Sequence, residues 1–286
     1  MELLLLSIHL LIHKIRFKIP AASSPKTSPN MSKTSSPAAR DAFFAELMRQ
    51  IPEEHRETFE ADPDFKNAPP GIEETGSAAL FAVPQVDRYM CVTQRTLSAI
   101  VVGMVDSIPR WKKGQVVNWA ARKGGYPSPA HAKYATYKLA QAADEWNSHN
   151  VGVTFKWVSR INDAAFVLEY GGNKADVLAE AFFPNSDPLN SVFVYKTAFT
   201  QESLPILKNI FLHELGHVIG LRHEFALEEE ESWAAVRFGT PNAISVMSYT
   251  FPPTIQTSDI EDTKNFYDFA GDQIGGINIV DWEADN

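Results

Sequence analysis

Between Phe211 and Glu224 the chain reads FLHELGHVIGLRHE, which brings His213, Glu214, His217 and His223 into one short stretch. On a helix, residues four apart lie about 40° apart around the axis and one turn apart along it, so His213 and His217 aim their imidazoles at one point. His223 follows six residues later, which on a straight helix would carry it roughly 240° round and about 9 Å along. The helix must therefore stop between them. Gly220 is placed to stop it, because glycine takes the left-handed conformation at a helix C-terminus without a Cβ penalty, and His223 can then fold back. Three neutral imidazoles around one zinc ion leave a tetrahedral position open for water, which is the coordination of a hydrolytic site. Zinc brings the pKa of such a water to about 7 and polarises a carbonyl, while a neighbouring carboxylate takes the proton and passes it to the leaving amine. Glu214 is the candidate for that base.

The spacing H-E-x-x-H-x-x-G-x-x-H followed by a methionine turn is a metzincin signature, and Met247 in Ser245-Val-Met-Ser-Tyr249 supplies the methionine. The chain resembles that clan of zinc endopeptidases, astacin-like in some features and matrixin-like in others. The resemblance implies that Met247 forms an apolar floor under the histidines. Tyr249 matches the tyrosine that astacin-like and serralysin-like members place near the metal. Three roles stay open for it: a loose fifth ligand, a hydrogen-bond donor to the oxyanion, or a packed core residue. Glu224, directly after the third histidine, also matches astacins.

From about Ile108 onward the chain is similar to the catalytic domain of matrixin-like metzincins. That implies an α+β fold: a twisted mixed β-sheet, a backing helix, an active-site helix and a small C-terminal subdomain, preceded by a helical or irregular N-terminal segment. In such proteins an extended peptide or protein substrate lies antiparallel to an edge strand, here Leu178, Ala179, Glu180, Ala181, Phe182 and Phe183. The chain departs from matrixins at Glu180, where they carry a histidine ligand, and at Tyr195-Lys196-Thr197, where they carry acidic residues. Only one catalytic Zn2+ is implied. Two other readings of the motif are a catalytically inactive zinc-containing module that captures peptides, and a hydrolase of non-peptide amides or esters. Glu214 argues against the first, since a silent module has no use for a base.

The elements that must position these residues are partly legible. Ser128-Pro129 is a helix start, and the helix runs to about His149 with Tyr134, Tyr137, Leu139, Ala142 and Trp146 on its apolar face. Gln115–Ala121 reads as a first strand, followed by Val153–Val158, Ala164–Tyr170, the edge strand and Ser191–Tyr195. The active-site helix spans about Ser203–Ile219 and is apolar nearly all round, so it is buried. Ser258-x-x-Glu261 reads as a capping box opening a last helix to about Phe269. Gly271–Asn286 offers no assignment. Upstream, Asp41–Glu60 has helical period with Phe43, Phe44, Leu47 and Ile51 on one face, broken at Pro52.

Length and composition set the frame. At 286 residues with 44% hydrophobic side chains, the chain can build a sizeable core in one or two domains. A net charge of −9 argues against nucleic acid as a main partner. Its single cysteine, Cys91, rules out an internal disulfide, a departure from astacins. Leu3–Ile12 has the length of a signal-peptide core and is too short to span a membrane, yet Glu2 precedes it and Lys14, Arg16 and Lys18 follow it. The resembled clan leans the reading towards secretion, and a start at Met31 would make the chain cytoplasmic. Residues 1–40 read as this apolar segment and a Ser/Pro-rich linker, 41–107 as an N-terminal segment that could be pro-peptide-like, and 108–286 as the zinc protease domain. Within the middle segment Cys91 or Asp62 could block the metal, although Cys91, which lacks the matrixin Pro-Arg-Cys-Gly context, reads first as a buried structural thiol. The acidic run Glu228–Glu231 reads as a solvated face.

Overall fold

The computed structural model describes residues 37–60, 69, 72, 107–226 and 235–286. The apolar segment, Met31, Asp62, Cys91 and the acidic run Glu228–Glu231 lie outside them. In chain order the main elements are α1 (Pro37–Gln50), β1 (Ser107–Trp111), β2 (Val116–Ala121), α2 (Pro129–Ser148), β3 (Thr154–Trp157), β4 (Phe166–Tyr170), β5 (Ala179–Glu180), β6 (Asn190–Val194), α3 (Leu207–Val218), α4 (Thr257–Asp268), β7 (Gln273–Ile274) and β8 (Ile277–Trp282). This is a mixed α+β arrangement. No helix among the described residues is long and apolar enough to cross a membrane.

Five strands form the central sheet in the order β3-β2-β4-β6-β5, all parallel except β5, which runs antiparallel to β6 at the edge. Parallel strands need cover on both faces, and the alternation of side chains shows where it comes from. Val117, Trp119 and Ala121 of β2 and Phe166 and Leu168 of β4 join the main core with α2 and α3. Ala120 and Val167 point the other way, onto Phe44 and Leu47 of α1 and Ile51 just after it. The linker expected to reach residue 40 therefore gives way to helix at Pro37. Arg40 fastens it: the guanidinium donates to the carbonyls of Asn162, Ala164 and Pro188 at 3.0, 2.9 and 2.9 Å and pairs with Asp285 at 3.0 Å. Burial lowers its pKa, and the charge of Asp285 works against that.

Several boundaries differ from the sequence reading. The expected first strand is the second, because β1 precedes it and pairs in parallel with β8, with Pro109 opposite Val280. A proline inside a short apolar run argues against a strand, and β1 is the outer strand of the sheet β1-β8-β7. The unassigned tail is thus the hairpin β7-β8, turned by Gly275 and Gly276, both at positive φ. The edge strand is shorter than expected, with only Ala179 and Glu180 paired, to Val194 and Phe193. Beyond them Phe182 turns into the core against Phe166, ring centroids 5.7 Å apart, and this draws the chain off the sheet. Helix α3 begins at Leu207, after a single 3-10 turn at Leu204–Ile206 containing Pro205. The capping box of α4 is made by Gln256 and Asp259, not by Ser258 and Glu261.

Candidate metal centre

From Ile210 onward helix α3 is buried on every side, and it is held by its neighbours' polar tips. Trp146 Nε1 of α2 donates to Leu212 O at 3.0 Å, and Tyr134 Oη donates to Leu204 O at 2.9 Å. At the C-terminal end, Gly220 adopts φ +94°, as the spacing of the histidines predicts. Its N–H donates to His217 O at 2.9 Å, and Leu221 N–H donates to Gly216 O at 2.9 Å. This is the paired-bond pattern of a Schellman turn, which satisfies carbonyls the helix would otherwise leave bare. Trp111 Nε1 donates to Val218 O at 2.7 Å, and Tyr267 Oη donates to Ile219 O at 2.9 Å. A second constraint also demands glycine at 220, since a Cβ there would stand 2.6 Å from Pro109 O of β1.

The turn brings His223 back to the helix. Ring centroids of His213, His217 and His223 stand 4.9 to 5.2 Å apart, and one nitrogen from each lies within 4.8 Å of the others. His213, Glu214 and His217 have no exposed surface, and His223 has 5%. His213 Nδ1 donates to Val246 O and His217 Nδ1 to Leu221 O, each at 2.8 Å, which turns both Nε2 atoms towards the cluster. Burial, then the neighbouring His213 and His223, hold the His217 imidazole well below its ordinary pKa. A neutral ring is the form that ligates. Three converging imidazoles, two of them with the outward Nδ1 held by a carbonyl acceptor, fit a divalent transition metal, and zinc suits an all-nitrogen set.

Met247 packs against Gly216 of α3 and is 3% exposed. A Cβ at residue 216 would stand 2.3 Å from its sulfur, so Met247 requires the glycine inside HELGH. Sequence reasoning passed over Gly216; a glycine in the middle of a helix was the available signal. The turn Ser245–Ser248 is held by Ser248 N–H to Ser245 O at 2.9 Å and by Val246 N–H to Asp259 Oδ2 at 2.8 Å. Asp259 thus ties the first turn of α4 to Val246, the residue whose carbonyl orients His213. On the far side Glu224 N–H donates to Met247 O at 2.9 Å, and the Glu224 carboxylate accepts from Asn242 N–H at 2.8 Å. Burial pushes that carboxyl up. Tyr249 is half-buried, with its hydroxyl 3.2 Å from His223 Nδ1.

The edge segment borders this site. Phe183 packs its ring against His217 at 5.3 Å, whereas Leu178, Ala179, Glu180 and Phe182 are buried and only Ala181 and Phe183 are half-exposed. Glu180 faces inward, bonded to Lys174 and accepting from Tyr195 Oη at 2.6 Å. Burial, then the charge of Glu180, push the Tyr195 phenol far up, so it stays a donor.

No family model matches the sequence, and no curated protein matches it either. Among solved structures, the chain is matched to high choriolytic enzyme 1, a hatching-enzyme zinc protease of the medaka fish Oryzias latipes. The identity is 11% and the TM-score 0.40, over 56% of this chain and 94% of that one. At that distance the likeness decides no chemistry. The histidine cluster has to.

Proposed function

We propose that this chain is a zinc-dependent endopeptidase acting on extended peptides, in which His213, His217 and His223 hold the ion and Glu214 is the general base. The observation that carries this reading is the convergence of three buried imidazoles, two on a helix beside the buried Glu214 and the third returned to them by a left-handed glycine just past the helix end. When bound, zinc supplies Lewis acidity, lowering the pKa of water and polarising a carbonyl oxygen.

The remaining work belongs to the chain. Glu214 accepts a proton from the attacking water and returns it to the amide nitrogen as the carbon–nitrogen bond breaks. Val246 O and Leu221 O fix two of the imidazoles in the tautomer that offers Nε2. Among the described residues strand β5 pairs with a strand on one side only, so its outer edge can add a substrate strand, with main-chain bonds that accept any sequence. Phe183, which follows that strand and packs its ring against His217, would guide the substrate's backbone over the site.

Digestion of a peptide library by the purified protein, followed by mass spectrometry with and without chelator, tests this. Internal cleavages that vanish with chelator and return with zinc are expected, alongside one bound zinc per chain. A full zinc complement with no cleavage would reassign the chain to an inactive peptide-binding module, and metal content well below one equivalent would remove the zinc.

A further inference from the structure

The backbone sets two of the three site histidines. A carbonyl oxygen only accepts, so His213 and His217, facing Val246 O and Leu221 O, must carry their protons on Nδ1 and present Nε2. At His223 the corresponding partner is a side chain, the hydroxyl of Tyr249, 3.2 Å from Nδ1 with the two rings 5.1 Å apart. A hydroxyl can donate or accept. If it donates, His223 carries its proton on Nε2 and loses the lone pair the cluster needs; if it accepts, the third ligand matches the other two.

We propose that Tyr249 is a positioning residue whose oxygen accepts the Nδ1–H of His223, completing the ligand set from outside it. This inference rests on the zinc reading above. The phenol is delivered by a fixed turn: Thr250 N–H donates to Ser248 Oγ at 3.1 Å, and Thr250 Oγ1 donates to Ala243 O at 2.6 Å. The tyrosine therefore acts through histidine, neither as a fifth ligand nor as a donor to the reacting carbonyl. A ligated imidazole has a more acidic remaining N–H, so the acceptor and the metal reinforce one another, and loss of such an outer partner weakens metal binding by about 10–100-fold.

Tyr249→Phe removes the oxygen and keeps the ring. Zinc affinity by chelator competition should fall about 10–100-fold, while the melting temperature of the zinc-free protein stays the same. In zinc-free wild type, long-range nitrogen–proton NMR should show His223 protonated on Nδ1, and ultraviolet difference spectra on adding zinc should show no phenolate. Unchanged zinc affinity in the variant, an Nε2–H tautomer in wild type, or phenolate appearing with zinc would each overturn the assignment. A lowered melting temperature with unchanged affinity would make Tyr249 a packing residue and overturn it too. Wild type that takes no zinc at all defeats the enzyme reading itself, a separate result.

Discussion

Alanine is the better helix former by about 1 kcal/mol, so Gly216→Ala in the middle of α3 would stabilise an isolated helix. Here the new Cβ would fall 2.3 Å from Met247 Sδ and 3.2 Å from Cε. Met247 is 3% exposed and cannot swing into solvent. Its own backbone is tied down through Met247 O to Glu224 N–H and Met247 N–H to Ser245 Oγ. Overpacking of this kind costs about 1–3 kcal/mol. Set against the propensity gain, the substitution should destabilise the protein by roughly 0–2 kcal/mol. In a Met247→Ala background the obstruction is gone, and the same change should stabilise by about 1 kcal/mol. The two backgrounds should thus differ by about 1–3 kcal/mol, beyond the ~0.5 kcal/mol scatter of independent sites. Urea denaturation of the four proteins in chelator reads this coupling without any contribution from metal. Coupling below ~0.5 kcal/mol would show that Met247 does not dictate the glycine.

Glu214→Gln should keep the full zinc complement and lower turnover by about 10²–10⁴-fold, because the proton acceptor goes and the ligands stay; turnover close to wild type would remove Glu214 from the mechanism. Asp259→Ala strips the acceptor from the N–H groups of Val246 and Gln256, both at 2.8 Å, and should cost about 1–3 kcal/mol in denaturant unfolding. A loss under ~0.5 kcal/mol would show that Asp259 does not hold the methionine turn. Zinc-free protein should lose stability as pH falls below about 6.5, because His217 protonates there in the unfolded chain while burial holds it neutral in the folded one. Thermal melts at about pH 7.5 and 5.5 should show a smaller decrease in His217→Gln than in wild type; equal decreases would assign the acid sensitivity to other groups.

The parts of this protein legible in its sequence are those decided within a turn or two of chain. Ligand spacing in His213–His223, the left-handed stop at Gly220 and the Ser128 cap of α2 depend on neighbours a few residues away, and each stands as the local rules predict. Met247 and Tyr249 were legible as candidates because their spacing from the histidines is a pattern, yet the partner of the Tyr249 hydroxyl was not. Tertiary structure alone decided the rest. Strand β1 exists because β8, from the far end of the chain, lies beside it, and a strand with proline in it has no signal of its own. Arg40 looked like linker until the carbonyls of Asn162, Ala164 and Pro188 converged on it. Asp259 displaced Glu261 as the capping carboxylate and also binds Val246, a bond no local rule contains. Gly216 reads as a weak point in a helix until Met247 fills the space its missing Cβ leaves. Local chemistry nominates residues for a site; which atoms they meet depends on packing between segments that the sequence keeps far apart.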